Sequence, residues 1–188
     1  ELARQRGLIE TGLTPLFPEG ARCQGVDEAF AMSYTRKAGR DASHGGIDIP
    51  AAFDVPILAA AAGTIVGIFN QEEGLARGRT LVLRHSPEDT GFPFWTYTEY
   101  AHLNDMPKQV VGQRVRMGEV LGPTGNSGHS VGKPGGPPSK LRRPGIHFAV
   151  YYAKGPRYAV TRSYVVPEDG HWMDPNAFYR KTPPYDSE

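Results

Sequence analysis

Thr80–His102 reads TLVLRH, then SPEDTGFP, then FWTYTEYAH. The two outer pieces are short, β-branched and aromatic, and the piece between them is built from turn formers. That is the pattern of two strands joined by a compact connection. The same pattern extends in both directions. Upstream, Gly46–Pro50, Val55–Ala59 and Gly63–Asn70 read as strands, with a further short one at Ala29–Tyr34. Downstream, Gln113–Val115, Val120–Pro123 and Ile146–Tyr152 (IHFAVYY) do the same, and the single helical candidate is a short one at Leu103–Lys108. Many short strands with frequent turns predict a mainly β fold, an antiparallel sheet or a partly closed barrel, with few short helices.

Composition agrees. The chain has 188 residues, of which 23 are Gly and 17 are Pro, about a fifth, too many breakers for a helical bundle. The length suits one domain with arms. Residues 1–28 read as an N-terminal arm, 29–178 as the domain and 179–188 as a C-terminal tail. The longest apolar runs, Ile57–Ala62 and Phe148–Ala153, are far shorter than the roughly 20 residues of a membrane-spanning helix. A net charge of +1 gives no electrostatic reason to expect nucleic acid as a partner. Cys23 is the only cysteine, so no intramolecular disulfide forms. The chain begins at Glu1 with no visible export segment, as expected if such a segment has been removed or if the chain is a fragment.

Six histidines carry the chemical signal: His44, His85, His102, His129, His147 and His171. His44 and Asp48 form a His-x-x-x-Asp pair running from a glycine turn into a strand, a spacing that lets imidazole and carboxylate converge on a borderline-soft cation such as zinc. The pair is also what an exposed turn histidine beside a capping aspartate looks like. His147 lies on the strand IHFAVYY, where alternation places it with Ala149 and Tyr151 and opposite Phe148 and Val150. As a third ligand it completes a two-His, one-Asp set with room for a fourth, reacting group. His102 ends the YTEYAH strand and is a candidate proton acceptor or donor. His129 sits in the glycine-rich GNSGHS stretch as an alternative ligand or catalytic group. His85 and His171 read as structural.

The strings HGGID (His44 to Asp48), PAAFDVPILAAAAGTIVGI, YAHL, VGQRVRMGEVLGPTGNSG and IHFAVYY, in this order and spacing, resemble the lysostaphin-like (LytM-type) zinc metallopeptidases. The resemblance spans about Ser33 to Tyr152. It implies a folded antiparallel sheet of the duplicated-hybrid-motif kind, with a groove whose floor carries the metal. It implies zinc held by His44, Asp48 and His147, with His102 as the catalytic histidine beside the reacting water. Independently of the resemblance, strand alternation puts Tyr100 on the face of His102, as a residue lining the site, and Tyr100, His129 and Gly145 are the candidate substrate contacts. It also implies an exported, periplasmic or secreted enzyme that cuts peptide bonds in peptidoglycan stem or bridge peptides.

Two features depart from the family pattern. The usual His-x-His on the last strand is here Gly145-Ile146-His147, so the first histidine of the pair is absent. The link before it is expanded into GHSVGKPGGPPSKLRRPG, in which His129, Lys133, Lys140, Arg142 or Arg143 is a candidate to stabilise a developing oxyanion. Gly145 leaves open a second class of function, a catalytically degenerate domain that binds cell-wall peptide or regulates a partner hydrolase. A third, a lipoyl-type carrier hairpin at VGQRVRMGEVLG, lacks a lysine at its Met117-Gly118 turn.

Overall fold

The computed structural model of the protein describes residues 45–128 and 144–180. The expected strand at Ala29–Tyr34, His44, His129 and the basic residues 133–143 lie outside the described residues. Eleven strands are described: β1 (Ile47–Pro50), β2 (Pro56–Leu58), β3 (Gly63–Phe69), β4 (Thr80–His85), β5 (Trp95–Ala101), β6 (Arg114–Val115), β7 (Val120–Pro123), β8 (Gly145–Ala153), β9 (Tyr158–Val160), β10 (Val165–Pro167) and β11 (His171–Met173). A 3₁₀ turn (Leu75–Arg77) and two short helices, α1 (Pro87–Thr90) and α2 (Pro175–Arg180), complete them.

The main sheet runs β1-β8-β5-β4-β3-β6, with β11 following β1 along the edge of β8. Its pairs are all antiparallel. β2 pairs with β7 and β9 with β10 in two small ribbons. The architecture is the mainly β, antiparallel one expected.

Both faces of the central strands are covered, which explains why TLVLRH is apolar almost throughout. Leu81 and Leu83 of β4, with Ile65, Phe148, Val150, Met173 and Phe178, form the larger core on one face. Val82, with Val66, Phe69, Tyr97 and Val165, forms a smaller cluster on the other. Each fully buried Leu, Ile or Phe contributes about 1.5–3 kcal/mol relative to exposure.

Leu103–Lys108 is not helical. Leu103 pairs instead with Thr124 in an isolated bridge, and the Asn104 amide donates to the Pro123 carbonyl at 3.0 Å. Pro107 removes a donor that a helix there would need. The SPEDTGFP connection does hold a helix, α1. Pro87 occupies its first position, the Ser86 amide donates to Asp89 Oδ2 at 2.9 Å, and Gly91 closes it at φ 73°.

His85 is structural, as expected. It is fully buried, with Nδ1 2.6 Å from the Ala62 carbonyl and Nε2 2.7 Å from Thr98 Oγ1. Thr98 Oγ1 lies 3.1 Å from the Tyr100 hydroxyl, which accepts from the Ala60 amide at 2.8 Å. This chain ties β4 and β5 to the segment between β2 and β3. Burial lowers the His85 pKa from 6.5 to about 4. The unfolded chain therefore binds the proton that the folded chain refuses. Stability is complete above pH 6.5 and falls as pH drops from 6.5 to 4, by about 3 kcal/mol from this group. Chemical-shift titration of the folded protein is expected to show His85 neutral down to about pH 4. Denaturant melts at pH 7, 5.5 and 4.5 should show a falling midpoint. A His85 that titrates near 6.5 would contradict this.

Candidate metal centre

The β1–β8 ladder pairs Asp48 with His147, and the β8–β5 ladder pairs His147 with Ala101. Residues opposite each other on neighbouring strands share a face, so Asp48 and His147 stand together on the face away from the larger core. Ile47, Ile146 and Phe148 point the other way, into that core. Alternating strand residues therefore serve packing and chemistry in turn.

His147 Nδ1 donates to Asp48 Oδ1 at 2.9 Å. The His147 ring lies against the backbone of Gly46: a Cβ built there would be 2.7 Å from His147 Nε2 and Cε1 and 2.6 Å from the Phe148 carbonyl. Only glycine allows this close approach, and it turns the Nδ1 edge toward the aspartate. The two atoms that a proton now joins are ones a cation would join, carboxylate oxygen and imidazole nitrogen, a set suited to zinc.

His102 arrives by a different route. β5 ends at Ala101, and His102 takes a left-handed backbone, φ 69°. For a non-glycine residue this costs about 1–2 kcal/mol. Three hydrogen bonds hold it: the His102 amide to the Arg77 carbonyl at 2.9 Å, the Leu103 amide to the Arg79 carbonyl at 3.2 Å, and Nδ1 to the Ser127 carbonyl at 2.9 Å. The turned backbone sets the ring against His147, with centroids 5.9 Å apart at 67°. Asp48, His102 and His147 each offer one ligand atom, and those atoms lie within 4.8 Å of one another. His102 and His147 are buried and Asp48 is half-buried.

Among the residues singled out from the sequence, Asp48, His102 and His147 are thus together, while His44 and His129 lie outside the described residues. Tyr100 is not beside them. It pairs with Phe148 and packs in the larger core, on the opposite face from His147, with its hydroxyl bound to the Ala60 amide. Strand alternation places Tyr100 and His102 on one face, but the left-handed turn at His102 breaks the alternation. Burial pushes the Tyr100 phenol up to about 12, so it stays neutral.

Gly145 pairs with Pro50 and donates its amide to the Gly125 carbonyl at 2.9 Å. A Cβ at 145 would lie 2.6 Å from the Ile49 carbonyl oxygen and 3.2 Å from Pro50 Cα. The backbone here has closed on the place where a side chain would begin. Ser127 and Arg77, which hold His102, have no mark in the sequence because they act through backbone carbonyls.

Comparison with known proteins places this geometry. No curated protein matches the chain by sequence. Among solved structures, the catalytic domain of the antimicrobial peptidase lysostaphin from Staphylococcus simulans is 20% identical, at a TM-score of 0.51, covering 77% of this chain and 85% of that one. A chain from Ruminococcus gnavus assigned as a glycyl-glycine endopeptidase lytM is also 20% identical, at a TM-score of 0.53, covering 82% of this chain and 52% of that one. At these identities the likeness concerns the fold. The family model for peptidase family M23 matches residues 42–159. That span holds the whole Asp48–His102–His147 cluster and most of the chain, and the protein belongs to peptidase family M23.

Proposed function

We propose that the protein is a zinc-dependent endopeptidase of bacterial cell-wall peptidoglycan, acting on stem or bridge peptides in the periplasm or outside the cell. The observation that carries this reading is the convergence of Asp48, His102 and His147 within 4.8 Å, inside the span matched by the family. The lysostaphin and glycyl-glycine endopeptidase neighbours support a peptide of the cell wall as substrate. No helix among the described residues is long and apolar enough to cross a membrane.

Asp48 and His147, with His44, would hold the zinc. When bound, zinc polarises the scissile carbonyl and lowers the pKa of water toward ~7. His102 exchanges a proton with the reacting water at Nε2, since Nδ1 is committed to the Ser127 carbonyl. Gly145 supplies no second proton donor, so among the described residues His102 carries the acid–base work. The loss of one such group costs about 10²–10⁴-fold in rate.

That absence favours a second reading, a degenerate domain that keeps zinc and binds wall peptides without cutting them. Purified protein should contain stoichiometric zinc and release fragments from a peptidoglycan digest, with cleavage lost to a chelator and restored by zinc. His102→Ala should retain zinc yet lower the rate by about 10²–10⁴-fold. Absence of zinc, or cleavage indifferent to chelation, would overturn the first reading. Zinc with peptide binding and no cleavage would establish the second.

Gly145→His tests the missing histidine. The added Cβ would press on the Ile49 carbonyl, so the variant is expected to lose about 1–3 kcal/mol of stability and gain no activity. A variant as stable as the parent and faster at cleavage would contradict this.

A further inference from the structure

We propose that Ser127 is the positioning residue for His102, and that it fixes the tautomer in which His102 Nδ1 carries the proton and Nε2 the lone pair. The inference deepens the reading of His102 as the acid–base group and rests on it.

A ring nitrogen 2.9 Å from a carbonyl oxygen must carry a hydrogen, because the carbonyl can only accept. Which nitrogen of a histidine is protonated is set by the bond its other side makes. The Ser127 carbonyl therefore decides it, provided the carbonyl is itself held. Ser127 is 1% exposed, and its Oγ accepts from the Arg79 amide at 2.9 Å. The loop carrying Ser127 lies backbone against backbone on the turn at Gly78. A Cβ at Gly78 would be 2.1 Å from the Gly128 nitrogen and 2.3 Å from the Ser127 carbonyl carbon, and Gly78 has φ 64°. The Gly128 amide is held in turn by Gln71 Oε1 at 3.2 Å.

The same turn holds His102 from the other side through the Arg77 carbonyl. Arg77 is fixed by its guanidinium, which pairs with the buried Glu99 and the Ser163 carbonyl and lies 4.1 Å from the centre of the Tyr164 ring. Backbone and ring of His102 are thus gripped by two segments that grip each other. The functional consequence is a direction. With a lone pair at Nε2, His102 takes a proton from the reacting water first and returns it to the leaving amine afterwards. A histidine with the proton at Nε2 would start as a donor.

Long-range ¹⁵N–¹H correlation spectra of the chelated 188-residue chain read the tautomer directly, with His102→Gln to assign the signal. The expected result is one tautomer, protonated at Nδ1. In Gly78→Ala, where the new Cβ displaces Ser127, and in Ser127→Ala, the spectrum should show a mixture of tautomers. Where cleavage is measured, kcat should fall about 10–100-fold in Gly78→Ala with KM little changed. A parent signal protonated at Nε2, or Ser127→Ala with the parent's single tautomer, would overturn the proposal even if Gly78→Ala does not fold. The Nδ1-protonated form in a chain without zinc or cleavage would uphold the positioning while removing the peptidase reading. An active zinc enzyme protonated at Nε2 would do the reverse.

Discussion

One rung of one ladder organises the site: Asp48 opposite His147 across β1 and β8, joined at 2.9 Å. A one-residue slip of β1 would turn Asp48 into the larger core and Ile47 out of it. The apolar neighbours Ile47, Ile49, Ile146 and Phe148 therefore specify the chemistry indirectly. Their burial fixes the register, and the register brings a carboxylate and an imidazole together. The cost of half-burying Asp48 is offset by its imidazole partner, and the core supplies the free energy that keeps both in place.

The two kinds of buried histidine show how surroundings separate structure from chemistry. His85 has both nitrogens engaged by groups of the core, and burial drives it toward neutrality at about 4. It can act only as a brace. His147 bonds Asp48 and His102 bonds the Ser127 carbonyl, each through Nδ1, and the two rings face each other. A family expectation of two assisting histidines meets a backbone at Gly145 that has no room for the second. In the proposed site His102 is the assisting histidine among the described residues, and a left-handed backbone and three hydrogen bonds hold it.

Much of this is legible in the sequence. TLVLRH and VLGP give strands with the boundaries expected, and IHFAVYY is extended by one residue at each end, because alternation and turn residues bound them clearly. Alternation also assigns His147 its face. The strands β9, β10 and β11 carry no distinct signal in the sequence: YAV and VVP lie among prolines and charges, and HWM sits in GHWMDP, which reads as a loop. SPEDTGFP reads as turn yet holds α1, whose Ser-Pro-Glu-Asp start is a helix-start signal. Alternation carried through His102 puts Tyr100 beside the site, but the positive φ at His102 ends the alternation. A histidine gives no warning of that conformation. Its partners here, the Arg77 and Ser127 carbonyls, belong to segments distant in sequence.

The most direct test is X-ray absorption at the zinc edge of the zinc-loaded chain, compared between the parent and His147→Ala. The account predicts a first shell containing imidazole nitrogen and carboxylate oxygen in the parent, and loss of stable zinc in the variant. An oxygen-only shell in the parent, or an unchanged spectrum in His147→Ala, would contradict it.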